Sequence, residues 1–428
     1  MRNHRRDLYL GGATFSFREL PRARGFDRSN SLAFFKRERQ GNGNGGGGNG
    51  GGYTQQTNDN AQAVVLALAQ PMQQPLSPVR FTGNNAAIGQ TSVIVLNNVG
   101  LNTKLIVEIS GTVAQAAAET LTRTPLGAAN FLSNITLTDL NNVQRINTTG
   151  WHMWLLGTAR NKAAIGSAFV NDAPIQLGSN YLVQSMPASV TTAAPFRIFY
   201  EIPIAYHDYD LRGAIYAGVT SAQWRLQLTI NPNLVVPLTA ADSSQAVYKS
   251  STADLGVISN VVVQVYQNYL DQLPRSNGVP VLPAMSLSYN YLIINTTNLM
   301  GAAGFDTAIF YPNFRTFLST VIQFNNAGAL NLGTDINYLA IQVANMTYLR
   351  KIDPFYTQFQ TRNILMDDFP PGHYYLDHRQ KPIDTNQFGN TSLVVNPSLV
   401  NSGASLNLGY EMLAIQSQAI NAGSFPST

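Results

Sequence analysis

Two strand-rich blocks of similar length, joined by one connector of small residues and nearly free of charge inside, leave this chain few ways to fold. The first block runs from Val79 to Leu238 and the second, with its tail, over 257–428; each is long enough for an eight-stranded sandwich or barrel. The connector over 239–256 is rich in Ala, Ser, Thr and Asp, shows no apolar period, and reads as a surface crossing between two cores. With 428 residues and 44% hydrophobic content, both blocks can fold on buried apolar area without a metal or a disulfide. The chain has no cysteine, which excludes thiol catalysis and suits assembly in a reducing compartment.

Runs of β-branched and aromatic residues between turn formers predict strands at Thr91–Leu96, Lys104–Val113, Phe131–Leu140, Phe196–Tyr206 and Trp224–Ile230. The second block repeats the style at Val257–Tyr269, Leu287–Ile294, Phe314–Phe324, Ser392–Val395 and Leu406–Ile415. In Trp224–Ile230 the apolar residues fall at every second position, as one buried face of an antiparallel sheet requires. Each block also has one expected helix. Gly150–Asn161 places Trp151, Trp154 and Leu155 on one side. In the second block Ile336, Leu339, Ala340, Val343 and Ala344 fall at helical spacing, with Asp335 as the expected N-cap and Pro354 as the expected terminator. The matching positions of the two helices suggest duplicated halves.

Charge is scarce and lopsided. Residues 1–40 carry ten basic side chains, Arg2, Arg5, Arg6, Arg18, Arg22, Arg24, Arg28, Lys36, Arg37 and Arg39, against four acidic ones, so the arm is net +6 and the remainder −2. Only 12% of the chain is charged, against about 25% in an average soluble protein, which fits a surface largely covered by neighbours. The Gly/Asn tract 41–52 cannot bury side chains and reads as a flexible tether. The N-terminus lacks the continuous apolar core of a secretory signal, and the longest apolar run, Ala63 to Ala69, is far short of a membrane span.

Catalytic constellations find little support. Of the five histidines, His4, His152, His207, His373 and His378, only the last pair approaches a metal-like grouping; Pro370, Pro371 and Gly372 beside it argue for a surface loop or subunit contact. His152 reads as a packed or hydrogen-bonded side chain, because no carboxylate neighbours it in sequence. The adjacent carboxylates Asp367 and Asp368 point apart on an extended segment, unlike a glycosidase pair. The Gly tract lacks the Lys-Ser or Lys-Thr of a phosphate loop. No enzyme, metal or cofactor is expected.

Seven strings in order do carry a family resemblance: Gly150-Trp151-His152; Tyr269-Leu270-Asp271-Gln272-Leu273-Pro274; Gly333-Thr334-Asp335-Ile336-Asn337-Tyr338-Leu339; Arg350-Lys351-Ile352-Asp353-Pro354; Asp368-Phe369-Pro370; Lys381-Pro382-Ile383; and Val394-Val395-Asn396-Pro397. Collinear from about Val79 to the C-terminus, they resemble the major capsid protein of tectiviruses, bacteriophages with an internal membrane. The resemblance implies a vertical double jelly roll, two sandwiches side by side, and assigns these positions structural roles. It further implies homotrimeric, pseudo-hexagonal capsomers tiling an icosahedral virion shell over a membrane that encloses double-stranded DNA, with residues 53–78 facing the interior. Assembly in the host bacterial cytoplasm, contacts with neighbouring trimers, and vertex, cement or minor capsid proteins as partners are implied as well. The long connections Thr112–Asn130, Asn161–Thr192 and Lys351–Phe388 are the expected trimer contacts.

The arm departs from the family pattern, so its role is read from its residues. Phe34 and Phe35 directly before Lys36 and Arg37 suit an interface with anionic membrane lipid. Weak contact with packaged DNA and a solubilising tail are the competing readings. A carbohydrate-binding or adhesive jelly roll is the alternative from another class; it requires Asp, Asn and aromatic residues clustered in one loop group.

Overall fold

The computed structural model describes residues 8–10, 13–15, 61–116, 119–124, 126–161, 186–218, 222–237, 246–252, 256–283, 288–326, 329–330, 335–343, 350–365, 372–379, 381–385 and 390–415. In the arm, Leu8–Leu10 and Ala13–Phe15 pair as an antiparallel hairpin, an element the sequence pattern did not signal. The ten basic side chains of the arm, Phe34 and Phe35, the Gly/Asn tract, Asp367–Asp368, Gly333, Thr334, Phe369 and Pro370 lie outside the described residues.

The first sandwich packs two sheets on one core. One sheet orders Ala194–Pro203, Leu101–Ala114, Val257–Asp271 and Gln70–Pro75, with Val79–Asn84 also paired to Val257–Asp271. The other orders Gln144–Thr148, Leu132–Thr138, Arg225–Ile230 and Thr91–Val95. Alternation decides which side chains enter: Leu105, Val107 and Ile109 from one sheet meet Leu226, Leu228 and Ile230 from the other. All ten predicted strands are present, shifted by a few residues at their ends.

The second sandwich sets Thr307–Phe310, Thr391–Pro397, Ile336–Val343 and Arg350–Ile352 against a sheet of Thr316–Asn326, Ser405–Ile415 and Tyr289–Leu299. Parallel pairing of Ile293 with Ile146 and Ile294 with Asn147 then continues this last sheet into the first sandwich, giving one ten-stranded sheet across both. The continuation explains why Thr316–Asn326 and Ser405–Ile415 are buried on both faces. Phe317, Ile322, Phe324, Tyr410 and Met412 fill the second core, while Leu318, Val321 and Leu413 join Tyr291 and Ile293 in the first.

Several expectations need correction. The residues after Asp335 form a strand, Ile336–Val343, not a helix. Its ladder with Thr391–Pro397 shifts register between Ile336 and Tyr338, and the inserted residue brings Ile336 and Leu339 into the same core. A bulged strand thereby imitates the three-residue step of a helix. Asp335 accordingly caps nothing; its carboxylate accepts from Asn326 Nδ2 at 2.6 Å and its carbonyl from the Ser398 amide. Pro354 begins a helix, Pro354–Leu365, rather than ending one. Asp353 caps it, accepting from the amides of Phe355 and Tyr356 at 2.8 and 3.1 Å, and proline suits the first helical turn because its missing N–H would have no partner there.

The connector is not a bare surface crossing, since Tyr248–Ser250 pairs with Leu121–Arg123 and Val235–Pro237 and buries Tyr248. The apolar run Ala246–Tyr248 is too short to display a period. Val257–Asp271, expected to open the second block, is hydrogen-bonded instead inside the first sandwich. His373 does not lie on a surface loop: it opens the strand His373–Asp377, paired with Thr316–Asn326, and both His373 and His378 are buried. The connections Thr112–Asn130 and Lys351–Phe388 likewise contain strands and helical turns where a loop was expected.

Candidate functional site

The helix Gly150–Asn161 lies where the sandwiches meet, and the residues around it decide whether they move as one body. It is buried on nearly every side, more than the single apolar face its sequence suggested, because both sandwiches close over it. Gly150 is required at its start: a Cβ there would stand 2.5–2.6 Å from the carbonyls of Leu132 and Ala129. Trp151 meets the His373 ring edge-on at 5.5 Å, and His373 Nε2 lies 2.9 Å from Gln323 Nε2. Asn407 Nδ2 donates to Gln323 Oε1 at 2.7 Å, and Thr297 Oγ1 donates to Asn407 Oδ1 at 2.7 Å.

The next residue, His152, is fully buried, with Nδ1 2.6 Å from Thr148 Oγ1 and its ring laid on the backbone of Gly409. Burial in apolar surroundings pushes its pKa down to about 3, and burial likewise lowers His378 to about 4. Both rings are therefore neutral in the fold but protonate in the unfolded chain near pH 6.5. Their contribution is complete above pH 6.5 and is lost as pH falls toward the folded values. Denaturant melts at pH 7.5 and pH 5 are expected to differ by about 2 kcal/mol for each histidine, and His152→Gln is expected to remove its share of the difference.

At the far end of the helix, Arg160 reaches the second sandwich. Its Nη1 donates to Glu411 Oε1 at 2.9 Å and also touches the Tyr291 hydroxyl, while Nη2 meets the Tyr206 carbonyl. Glu411, wholly buried, also accepts from the Tyr291 hydroxyl and from Ser319 Oγ, each at 2.6 Å. The guanidinium sits 5.2 and 5.6 Å from the ring centres of Tyr291 and Tyr206. Burial alone would lower the Arg160 pKa, but Tyr291 and Glu411 outweigh it and raise it; burial raises that of Tyr291. The result is a satisfied ion pair spanning the seam, with no acid, base or nucleophile open to a substrate.

The described sequence strings fall at several places in the fold. Gly150, Trp151 and His152 are at the seam. Asn337, Tyr338 and Asn396, distant in sequence, converge at one end of the second sandwich: Asn337 Nδ2 donates to Asn396 Oδ1 at 2.8 Å, and Asn396 Nδ2 and the Tyr338 hydroxyl donate to Asp306 at 2.7 and 2.5 Å. Pro397 pairs with Ile336 beside them, while Lys381 and Pro382 are exposed. Tyr269, Leu270, Asp271, Gln272, Leu273 and Pro274 lie at one end of the first sandwich, where Leu270 and Leu273 pack on Val65, Ala69 and Leu101. Arg160, Glu411, Tyr291 and Gly409 were missed by sequence reasoning. The available signal was a lone carboxylate inside the apolar run Leu406–Ile415 and a lone cation ending a helix of apolar residues. Among the described residues no group of acidic or imidazole side chains could hold a metal ion, and no helix is long and apolar enough to cross a membrane.

Comparison with known proteins places this arrangement. Residues 54–273 match the N-terminal part, and 286–427 the C-terminal part, of the P3 major capsid protein family. The division falls after Val257–Asp271, as the strand pairing does. The sequence is 34% identical to major capsid protein P3 of Enterobacteria phage PRD1 over 87% of this chain and 94% of that protein. At the level of fold, it is similar to the major capsid protein of Sulfolobus Turreted Icosahedral Virus (TM-score 0.58, 11% identity, 81% of this chain and 97% of that one). It is also similar to PBCV-1 VP54 as fitted into the virophage Sputnik (TM-score 0.53, 11% identity, 82% and 95%). The fold is a double jelly roll.

Proposed function

Because the chain belongs to the P3 major capsid protein family, it is a structural component of a phage capsid and not an enzyme, and on that premise we propose how it builds the shell. Three copies associate into a pseudo-hexagonal capsomer with the sandwiches upright, and capsomers tile an icosahedral shell over an internal membrane enclosing double-stranded DNA. One observation carries the reading: the two sandwiches share a ten-stranded sheet and a buried ion pair, so each chain is a rigid two-lobed unit. Three such units present six similar lobes, which lets a threefold object sit in a hexagonal lattice.

The Pro354 helix supports self-association. It turns Thr357 and Thr361 inward and leaves Phe355 and Phe359 54% and 58% exposed, with Tyr356 beside them. Such an aromatic face needs a cover, and a neighbouring copy supplies one. Native mass measurement of the purified protein is expected to give a discrete trimer that resists heat, and Phe355→Ser/Phe359→Ser is expected to shift it toward monomer. A stable wild-type monomer overturns the capsomer reading; a double variant that stays fully trimeric overturns this contact.

The basic arm contacts anionic membrane lipid, with packaged DNA the weaker partner, and neighbouring trimers and vertex, cement or minor capsid proteins complete the shell. The residues Phe34, Phe35, Lys36 and Arg37 motivate the lipid assignment. Vesicle flotation of trimers lacking residues 1–52 tests it: unchanged flotation rules the arm out as the lipid contact.

A further inference from the structure

Two residues of the string Tyr269–Pro274, Leu270 and Leu273, are explained by packing, whereas Tyr269, Asp271 and Gln272 are not needed by that small core. They line a cleft of about 320 Å³ together with Tyr216, Asn98 and Arg275. Backbone approaches closely beside Tyr269. Gly100 holds φ +42°, and a Cβ there would stand 2.4 Å from the Leu270 carbonyl and 2.7 Å from the Tyr269 ring. At the lip Gln272 adopts φ +49°, a conformation costly for a residue with a side chain and concentrated where structure serves binding.

The charges in this cleft are of both signs. Asp271 and Arg275 are exposed, and among the described residues neither is in an ion pair. Both act on the half-buried Tyr216 hydroxyl: burial raises its pKa, Arg275 lowers it and Asp271 raises it. The ligand this suits is small and dipolar, with a cationic end for a carboxylate and aromatic faces and an anionic end for a guanidinium.

The rim is apolar. Met72 stands directly opposite Tyr269 in the ladder, on the same face of the sheet, and is exposed. A polar cleft with the exposed Met72 beside it fits a lipid surface, where the head group enters the cleft and Met72 meets the acyl boundary. The same rim disfavours a free sugar, despite the Asn, Asp and Tyr side chains gathered there.

We propose that this cleft binds the ethanolamine-phosphate head group of a phospholipid, with the ammonium hydrogen-bonded to Asp271 and held against Tyr216 and Tyr269, and the phosphate on Arg275. The assignment rests on the membrane contact proposed above and moves a specific part of it from the arm to the body. Choline is excluded from the Asp271 contact because its nitrogen has no hydrogen to donate.

Flotation of the full-length trimer on vesicles of phosphatidylethanolamine with phosphatidylglycerol, against vesicles in which phosphatidylcholine replaces the ethanolamine lipid at equal charge, tests it. Wild type is expected to favour the ethanolamine vesicles about tenfold, and Asp271→Ala/Arg275→Ala to lose the preference while keeping its melting temperature. In parallel, O-phosphoethanolamine is expected to shift the amide resonances around Asp271, and inorganic phosphate at the same concentration to leave them in place. A preference retained by the double variant, or equal shifts from inorganic phosphate, overturns the head-group site while leaving membrane contact intact. Failure of the full-length trimer to float on any vesicle overturns the membrane reading and this site with it.

Discussion

Glu411→Ala is expected to be among the most damaging single substitutions in the chain, lowering stability by about 3–5 kcal/mol. The change removes the carboxylate that accepts from Arg160, Tyr291 and Ser319 and leaves a buried guanidinium without its hydrogen-bonded counter-charge, Glu201 being the acidic neighbour that remains. Loss of packing alone does not account for such a penalty; the stranded cation does. Two further variants separate the contributions. Arg160→Met/Glu411→Leu, which removes both charges and keeps the volume, is expected to recover most of the loss, because a buried ion pair contributes little beyond an apolar pair of the same shape. Glu411→Gln keeps the shape and should fall between. Chemical denaturation of the three variants gives the ranking, and a double variant no better than Glu411→Ala contradicts the account.

Gly409→Ala is the second large effect. A Cβ at this position would stand 2.1–2.2 Å from the imidazole of His152, closer than any real contact. The ring has no room to retreat: it is fully buried, its Nδ1 is held by Thr148 at the end of the preceding strand, and its helix is seated by Gly150 against the Leu132 and Ala129 carbonyls. The helix must then lift from the strand, at a cost of about 1–3 kcal/mol or more by the usual scale for overpacked cores. The partner change is informative. His152→Ala alone opens a cavity, but in Gly409→Ala/His152→Ala the new methyl has space, so the double variant should be more stable than the sum of the two single effects predicts. Strict additivity in thermal melts would mean that the ring is not what Gly409 makes room for.

Most of the architecture could be read from the residues because strands with one buried face advertise themselves by alternation, as Arg225–Ile230 does. Reading failed where the alternation is broken or absent. The bulge at Asn337 gave Ile336–Val343 a helical step, and the strand Tyr248–Ser250 offered too few residues for any period. The division between the sandwiches was placed too early for a related reason: Val257–Asp271 looks like any other strand, and only its hydrogen bonds to Leu101–Ala114 reveal which core it serves. The seam was the least legible part. Its members, Arg160, Tyr291, Ser319 and Glu411, come from four separate elements, and nothing in the order of residues says that these four meet. The family strings pointed to Gly150, Trp151 and His152, yet without the fold they could not say that Gly409, far along the chain, is the surface His152 rests on.

The sheet that runs unbroken from Thr91–Val95 to Ala329–Leu330 also bears on how such a chain can change over time. If the two sandwiches began as copies of one ancestor, they have since ceased to be interchangeable parts. The reverse side of the later copy is finished by side chains of the earlier one, so a gene carrying either half twice would lack Arg160 or Glu411, whichever half it omitted. Drift on one side of the join is tolerated only when the other side drifts with it.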